Sequence, residues 1–177
     1  LQSAFDSAGQ RCSALRVLCL QEEVADRVLE MLRGALRVLR IGDPAELATD
    51  IGPVIDAPAR DSIQAHVDAM RRRGYPVIQI AAPMGALTRG ALGAFVAPTL
   101  IEIDSIGALT REVFGPVLHV LRWRRHELDQ LLRSIQATGY GLTLGVHSRI
   151  DENIEHVIGA ARIGNIYVNR NMIGAVV

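Results

Sequence analysis

Short apolar runs rich in strand-forming residues alternate along this chain with longer segments whose apolar residues recur at helical spacing. No other feature restricts its fold as much. "LRVLCL" (15–20) reads as a strand and leads into "EEVADRVLEMLRGALRVL" (22–39), where Val24, Val28, Leu32, Leu36 and Leu39 share one helical face. A helix over 57–74 follows, with Ile63, Val67 and Met70 on one face, then a strand over 76–81. Strands are predicted over 95–103 (interrupted), 116–123, 142–148 and 164–169, with helices over 126–138 and 151–162 between them and Asp151 as the N-cap of the last helix. Parallel strands need a crossover, and helices supply it, so this order predicts an α/β fold: three layers, a largely parallel sheet flanked by helices. Segment 40–56 holds two glycines and two prolines and reads as an ordered loop anchored by Ile41, Ile51 and Val54; the Gly/Ala-rich passage 82–94 reads as a loop or hairpin. The opening stretch has helical spacing at Leu1, Ala4, Phe5 and Ala8 but no cap before it.

Length and composition narrow the function. A chain of 177 residues with 49% hydrophobic content buries a substantial core, which fits one domain over 1–177. Nineteen basic residues balance nineteen acidic ones, so no net positive field favours nucleic acid or an anionic membrane surface. No apolar run approaches the roughly 20 residues that cross a bilayer, and no signal-peptide pattern opens the chain, which points to a cytoplasmic protein. Two cysteines, Cys12 and Cys19, are too few for a disulfide scaffold, and the five histidines show no metal-ligand spacing, so no metal is expected. The chain opens on Leu1 and stops in the apolar "NRNMIGAVV", as a piece cut at both ends from a longer protein would. Phosphate-cradling G-x-x-x-x-G-K-[ST], dinucleotide-binding G-x-G-x-x-G and the hydrolase elbow G-x-S-x-G are all missing from the sequence.

"AGQRCSALR" (8–16) is the stretch that carries chemistry. Cys12 follows a glycine and an arginine, and the residues alone leave two readings open: an inert buried thiol, or a nucleophile placed to attack. Cys19, inside "RVLCL", reads as a small core residue. "GQRC" (9–12), "REVFGPV" (111–117), "YGL" (140–142) and "GNIYVN" (164–169), taken in order with "GDP" (42–44), "IGPVI" (51–55) and "APTL" (97–100), resemble the catalytic domain of the NAD(P)-dependent aldehyde dehydrogenases along the whole chain. "SAGQRCSALRVLCLQ" and "NIYVNRNMIGAVV" are similar, within that family, to the glutamate-semialdehyde (pyrroline-carboxylate) dehydrogenase module of bifunctional proline-utilisation flavoproteins.

The resemblance implies NAD(P)-dependent oxidation of L-glutamate γ-semialdehyde to L-glutamate in proline catabolism, through a thiohemiacetal and a thioester on Cys12. An aldehyde releases hydride only once its carbon is tetrahedral and electron-rich, and a thiolate is a nucleophile that can later leave. By resemblance, Glu112 and Phe114 hold the nicotinamide half of the coenzyme, NAD or NADP. Arg11 and Ser13 lie beside the nucleophile, with Arg11 favouring the thiolate, and Gly174 with Ala175 anchors the substrate carboxylate. Structural readings stand beside these: a solvated glutamate, a core phenylalanine, a turn hydroxyl at Ser13, a turn glycine at Gly174. FAD would belong only to a proline dehydrogenase domain of the presumed parent, which the family also implies is a homo-oligomer. In the family, a second oxyanion donor (an asparagine) and the water-activating glutamate come from segments further upstream than the 11 residues that precede Cys12 here, so the 177-residue chain is expected to be inactive alone. Two alternatives remain: an aldehyde dehydrogenase of other substrate, or a non-catalytic α/β interaction module.

Overall fold

The computed structural model describes residues 1–80 and 93–174. Its centre is a four-stranded sheet of β1 (Val17–Gln21), β2 (Val77–Gln79), β3 (Thr99–Ile103) and β4 (Val117–Trp123), in the order β1-β4-β3-β2. β4 runs parallel to both neighbours, with His119 opposite Val17 on one side and Ile101 on the other; β2 closes the edge antiparallel, Val77 facing Ile101. A separate two-stranded parallel sheet joins β5 (Thr143–Val146) to β6 (Asn165–Val168). The sheets are therefore largely parallel, as the alternation predicts.

Side-chain alternation on the strands creates the three layers. Leu20 of β1 and Val120 of β4 face α2 (Glu22–Leu36) and cluster with its Ala25 and Leu29. On the opposite face, His119 meets His66 of α3 (Ala57–Arg72), whose buried stripe of Ile63, Val67 and Met70 is the one the spacing predicts. Asp56 caps α3, its carboxylate accepting from the Ala59 amide at 2.7 Å, with Pro58 in the first turn where a missing N–H does no harm. Loop 40–56 is anchored as expected: Ile41 pairs with Ile51, Val54 pairs with Ala94, and all three loop residues are buried. Most of the loop or hairpin expected over 82–94 lies outside the described residues.

Four expectations are corrected. The fully buried residues of α2 are Ala25, Leu29 and Leu36, with Val28 and Leu32 of the expected face partly buried against the core, while Val24 is half exposed, so the buried face is displaced toward Ala25 and Leu29. That helix also ends at Leu36 and passes into tight turns in which the Val38 and Leu39 amides bond Ala35 and Leu36. The opening helix, α1, covers only Gln2–Phe5. Asp151 is not an N-cap: the last helix, α5 (Asp151–Ala160), has Ile150 at that position, with its amide taken by Ser148 Oγ at 3.1 Å. Asp151 instead lies in the first turn, where its charge complements the helix dipole. α4 (Leu128–Ala137) packs against α5, and the two are joined by His156 Nε2 and Asp129 Oδ1 at 2.6 Å.

Candidate active site

A run of three left-handed residues makes the loop that carries Cys12. Ser7 (φ 55°), Ala8 (φ 51°) and Gly9 (φ 63°) follow α1, and for the two residues with side chains this conformation costs on the order of 1 kcal/mol each. A close approach sets it. A Cβ on Gly9 would overlap the Gly115 carbonyl oxygen and lie 2.6 Å from its carbon, while a Cβ on Gly115 would lie 2.6 Å from Ile63 Cδ1. Two glycines thus let the cysteine loop lie directly on the "FGP" backbone and let the Ile63 side chain of α3 pack against Gly115. The Leu15 amide bonds Ser3 O at 2.6 Å, and Gln10 Oε1 accepts from the Ile55 amide at 3.0 Å, tying the loop to α1 and to segment 40–56.

Cys12 emerges from this frame exposed, whereas the neighbouring Ser13 is buried. Arg11 turns back on its own loop, its Nε donating to Ser7 Oγ at 2.9 Å. The cation that gathers the surroundings is Arg16. Its Nη1 donates to Gly9 O, its Nη2 to Arg11 O at 2.8 Å, and its Nε to Glu112 Oε1 at 3.3 Å. The same guanidinium lies over the Phe114 ring, 4.4 Å from the centroid. Burial lowers the Arg16 pKa, with the Glu112 carboxylate and the Cys12 sulfur pulling against that shift. Glu112 and Phe114, which the sequence pairs by resemblance alone, are therefore joined through one side chain to the two carbonyls that flank the cysteine turn.

Behind Arg16 the polar chain continues inward. Its carbonyl accepts from the His119 amide at 3.0 Å and from the same residue's ring at 3.1 Å. A carbonyl can only accept, so Nδ1 of His119 carries the proton, and its Nε2 accepts from His66 Nε2 at 2.9 Å. Burial, with His66 next, pushes the His119 ring down to about 4; burial, then Arg111 and Arg73, also lowers His66. Arg16, His66 and His119 were not singled out in the sequence. Arg16 alone left a signal there, as a charge at the very start of an apolar strand.

The remaining positions lie at the far end of the chain. Gly174 is in a turn with φ 79°, and Ala175 lies outside the described residues. Segment 170–174 is nonetheless drawn toward the cysteine loop, because the Met172 amide donates to Ser3 Oγ at 3.2 Å. Asn169 (φ 55°) clamps Ser148, accepting from its amide at 3.0 Å and donating to its carbonyl at 2.9 Å. Cys19 packs against the core, where burial pushes its thiol up to about 12. Among the described residues no three of His, Cys, Asp and Glu are grouped to hold a metal, and no helix is long and apolar enough to cross a membrane.

The donor set fits a nicotinamide coenzyme. Glu112 retains an acceptor oxygen, Oε2, that makes no hydrogen bond among the described residues, as a ribose diol requires, and Phe114 is 42% exposed with Arg16 stacked on its ring.

Residues 1–177 match the Aldehyde dehydrogenase family. The chain is 62% identical to the bifunctional protein PutA of Klebsiella aerogenes over its whole length, while spanning 14% of that protein. It is 35% identical to the 1-pyrroline-5-carboxylate dehydrogenase of Geobacillus kaustophilus, covering 99% of the chain and 33% of that enzyme. A crystal structure of a mutant proline utilization A from Bradyrhizobium japonicum superposes with a TM-score of 0.91 at 55% identity, over 99% of this chain and 17% of that one.

Proposed function

The chain belongs to the aldehyde dehydrogenase family, and from that premise we propose that it supplies the nucleophile segment of an enzyme oxidising L-glutamate γ-semialdehyde to L-glutamate with NAD or NADP, in proline catabolism. The observation that carries the reading is the exposed Cys12 in a loop whose flanking carbonyls share Arg16 with Glu112 and Phe114. Similarity along the chain to PutA and to 1-pyrroline-5-carboxylate dehydrogenases supports this substrate class.

In this reading the Cys12 thiolate attacks the aldehyde carbon, and the carbonyl electron pair moves onto oxygen. The Cys12 backbone N–H donates to that oxyanion. When bound, the nicotinamide coenzyme supplies the hydride acceptor. Glu112 would accept from its ribose hydroxyls, and Phe114 would lie against the same half and orient it. The resulting thioester on Sγ is hydrolysed to the carboxylic acid, releasing the thiolate. Ser13, Arg11, Gly174 and Ala175 contribute to recognition at the amino-acid end of the substrate, where unpaired polar groups would reject an aldehyde lacking its carboxylate. We place the activity in a cytoplasmic, homo-oligomeric protein longer than this chain, with FAD confined to a separate proline dehydrogenase domain.

The test is NADH formation from the semialdehyde by the full-length protein. Native protein should turn over, Cys12→Ser should not, and the 177-residue chain alone should be inactive. A full-length protein that oxidises aliphatic aldehydes but not the semialdehyde would favour the alternative substrate class. Turnover by Cys12→Ser would remove the mechanism.

A further inference from the structure

We infer that Arg16 is a positioning residue that couples the cysteine loop to the coenzyme-gripping pair, so that thiol reactivity and coenzyme affinity depend on one guanidinium. This rests on the reading above. A planar guanidinium offers a fixed fork of donors, and here each of its three nitrogens is engaged: Nη1 by Gly9 O, Nη2 by Arg11 O, Nε by Glu112. Gly9 and Arg11 lie on the approach to Cys12, so the two carbonyls set the path of the turn that exposes the sulfur. The third donor and the stacked ring belong to residues almost a hundred positions later in the chain. Arg16 therefore touches both halves.

Two features make it a coupling device rather than a surface ion pair. Its side chain is only 14% accessible, so its bonds act in a poorly screened environment. Its backbone is also fixed from behind, because His119 donates twice to its carbonyl and His66 holds His119. A group bound by Glu112 therefore meets a carboxylate already oriented, and the field reaching Cys12 comes from a cation unable to swing away. Lysine in its place would keep a charge but could not hold two carbonyls and a carboxylate in one plane.

The experiment compares Arg16→Met and Arg16→Lys in the full-length protein, with two readouts that need no turnover. One is the iodoacetamide alkylation rate of Cys12 without coenzyme, and the other is the NAD dissociation constant by calorimetry. Arg16→Met should slow alkylation about fivefold and weaken NAD about tenfold, having lost both charge and fork. Arg16→Lys should slow alkylation about threefold and weaken NAD about fivefold, because the charge remains but the fork that holds both halves is gone. Both readouts within twofold of native in both variants would overturn the inference. If Arg16→Met does not fold, Arg16→Lys decides alone: both readouts shifted supports the inference, and either one within twofold of native overturns it. Native protein that fails to bind NAD would overturn the functional reading and the inference together, whereas native binding with inert Arg16 variants overturns the inference only.

Discussion

Two cysteines seven positions apart share a residue type and little else. Cys12 follows a left-handed run, the carbonyls that precede it are gathered by a partly buried arginine, and it is exposed. Cys19 lies in β1, in register with Leu121, packed against the apolar core with its thiol pushed up to about 12. Such a thiol is ionised in about one molecule in ten thousand at pH 8. Position on the fold, not the cysteine itself, sorts nucleophile from filler: a loop that breaks before a strand offers backbone amides, a nearby cation and solvent, while the strand interior offers hydrocarbon.

The contrast breaks most decisively by exchanging the roles. Replacing Cys12 by Ser in the full-length protein should lower NADH formation at least about a thousandfold, with no change in melting temperature. Cys19→Ala should leave turnover near native and lower stability by about 1 kcal/mol, read from denaturant unfolding. Loss of turnover in Cys19→Ala without loss of fold would put chemistry in the strand and undo the comparison.

A smaller effect probes what holds the loop in shape. Gly9→Ala forces a Cβ into the Gly115 carbonyl at a positive φ and should destabilise by about 4 kcal/mol, measured by chemical denaturation. The control is Gly34→Ala on the open side of α2, where a Cβ meets nothing within 4 Å; it should stabilise by up to about 1 kcal/mol. Equal responses at the two glycines would mean that the stacked backbones do not constrain the cysteine loop.

Smaller again is the effect of acid on the anchor behind Arg16. The folded-state pKa of His119 is lowered to about 4, below its ordinary 6.5, so the folded state binds fewer protons than the unfolded one. The stability tied to the neutral ring is complete above about pH 6.5 and is lost as pH falls toward 4, at most on the order of 3 kcal/mol. Arg16 and His66 face this ring, and Arg111 and Arg73 bear on His66, so the positive surroundings oppose protonation throughout. Unfolding free energies from pH 7 to 4 should show this loss in native protein and a shallower slope in His119→Asn. Identical slopes would separate the histidine pair from the stability of the site.

Much of the fold was legible in the sequence because its signals are local. Periodicity marks α3 by Ile63, Val67 and Met70, all of which are buried, and the strands fall where the apolar runs do. The errors came from contacts that periodicity cannot see. Val24 outranks Ala25 in hydrophobicity, yet the strand that feeds α2 aims Ala25 at Leu20 and Val120. Ala8 continues a helical spacing, but the meeting of Gly9 with Gly115, more than a hundred residues away, bends the chain first. The candidate site divides in the same way. Cys12, Glu112 and Phe114 were reached through motif resemblance, while Arg16, which joins them, depends on partners 96 and 98 positions along the chain and left only a strand-edge charge to notice.

The most direct measurement is competitive alkylation of the native full-length protein with limiting iodoacetamide at pH 8, followed by trypsin. Cleavage after Arg11 and Arg16 places the two thiols on separate peptides, 12–16 and 17–27, so each rate is read independently by mass spectrometry. The account predicts that the Cys12 peptide is modified at least about a hundredfold faster than the Cys19 peptide, and that enzyme activity falls in step with it. Equal rates, or full activity with Cys12 wholly alkylated, would contradict it.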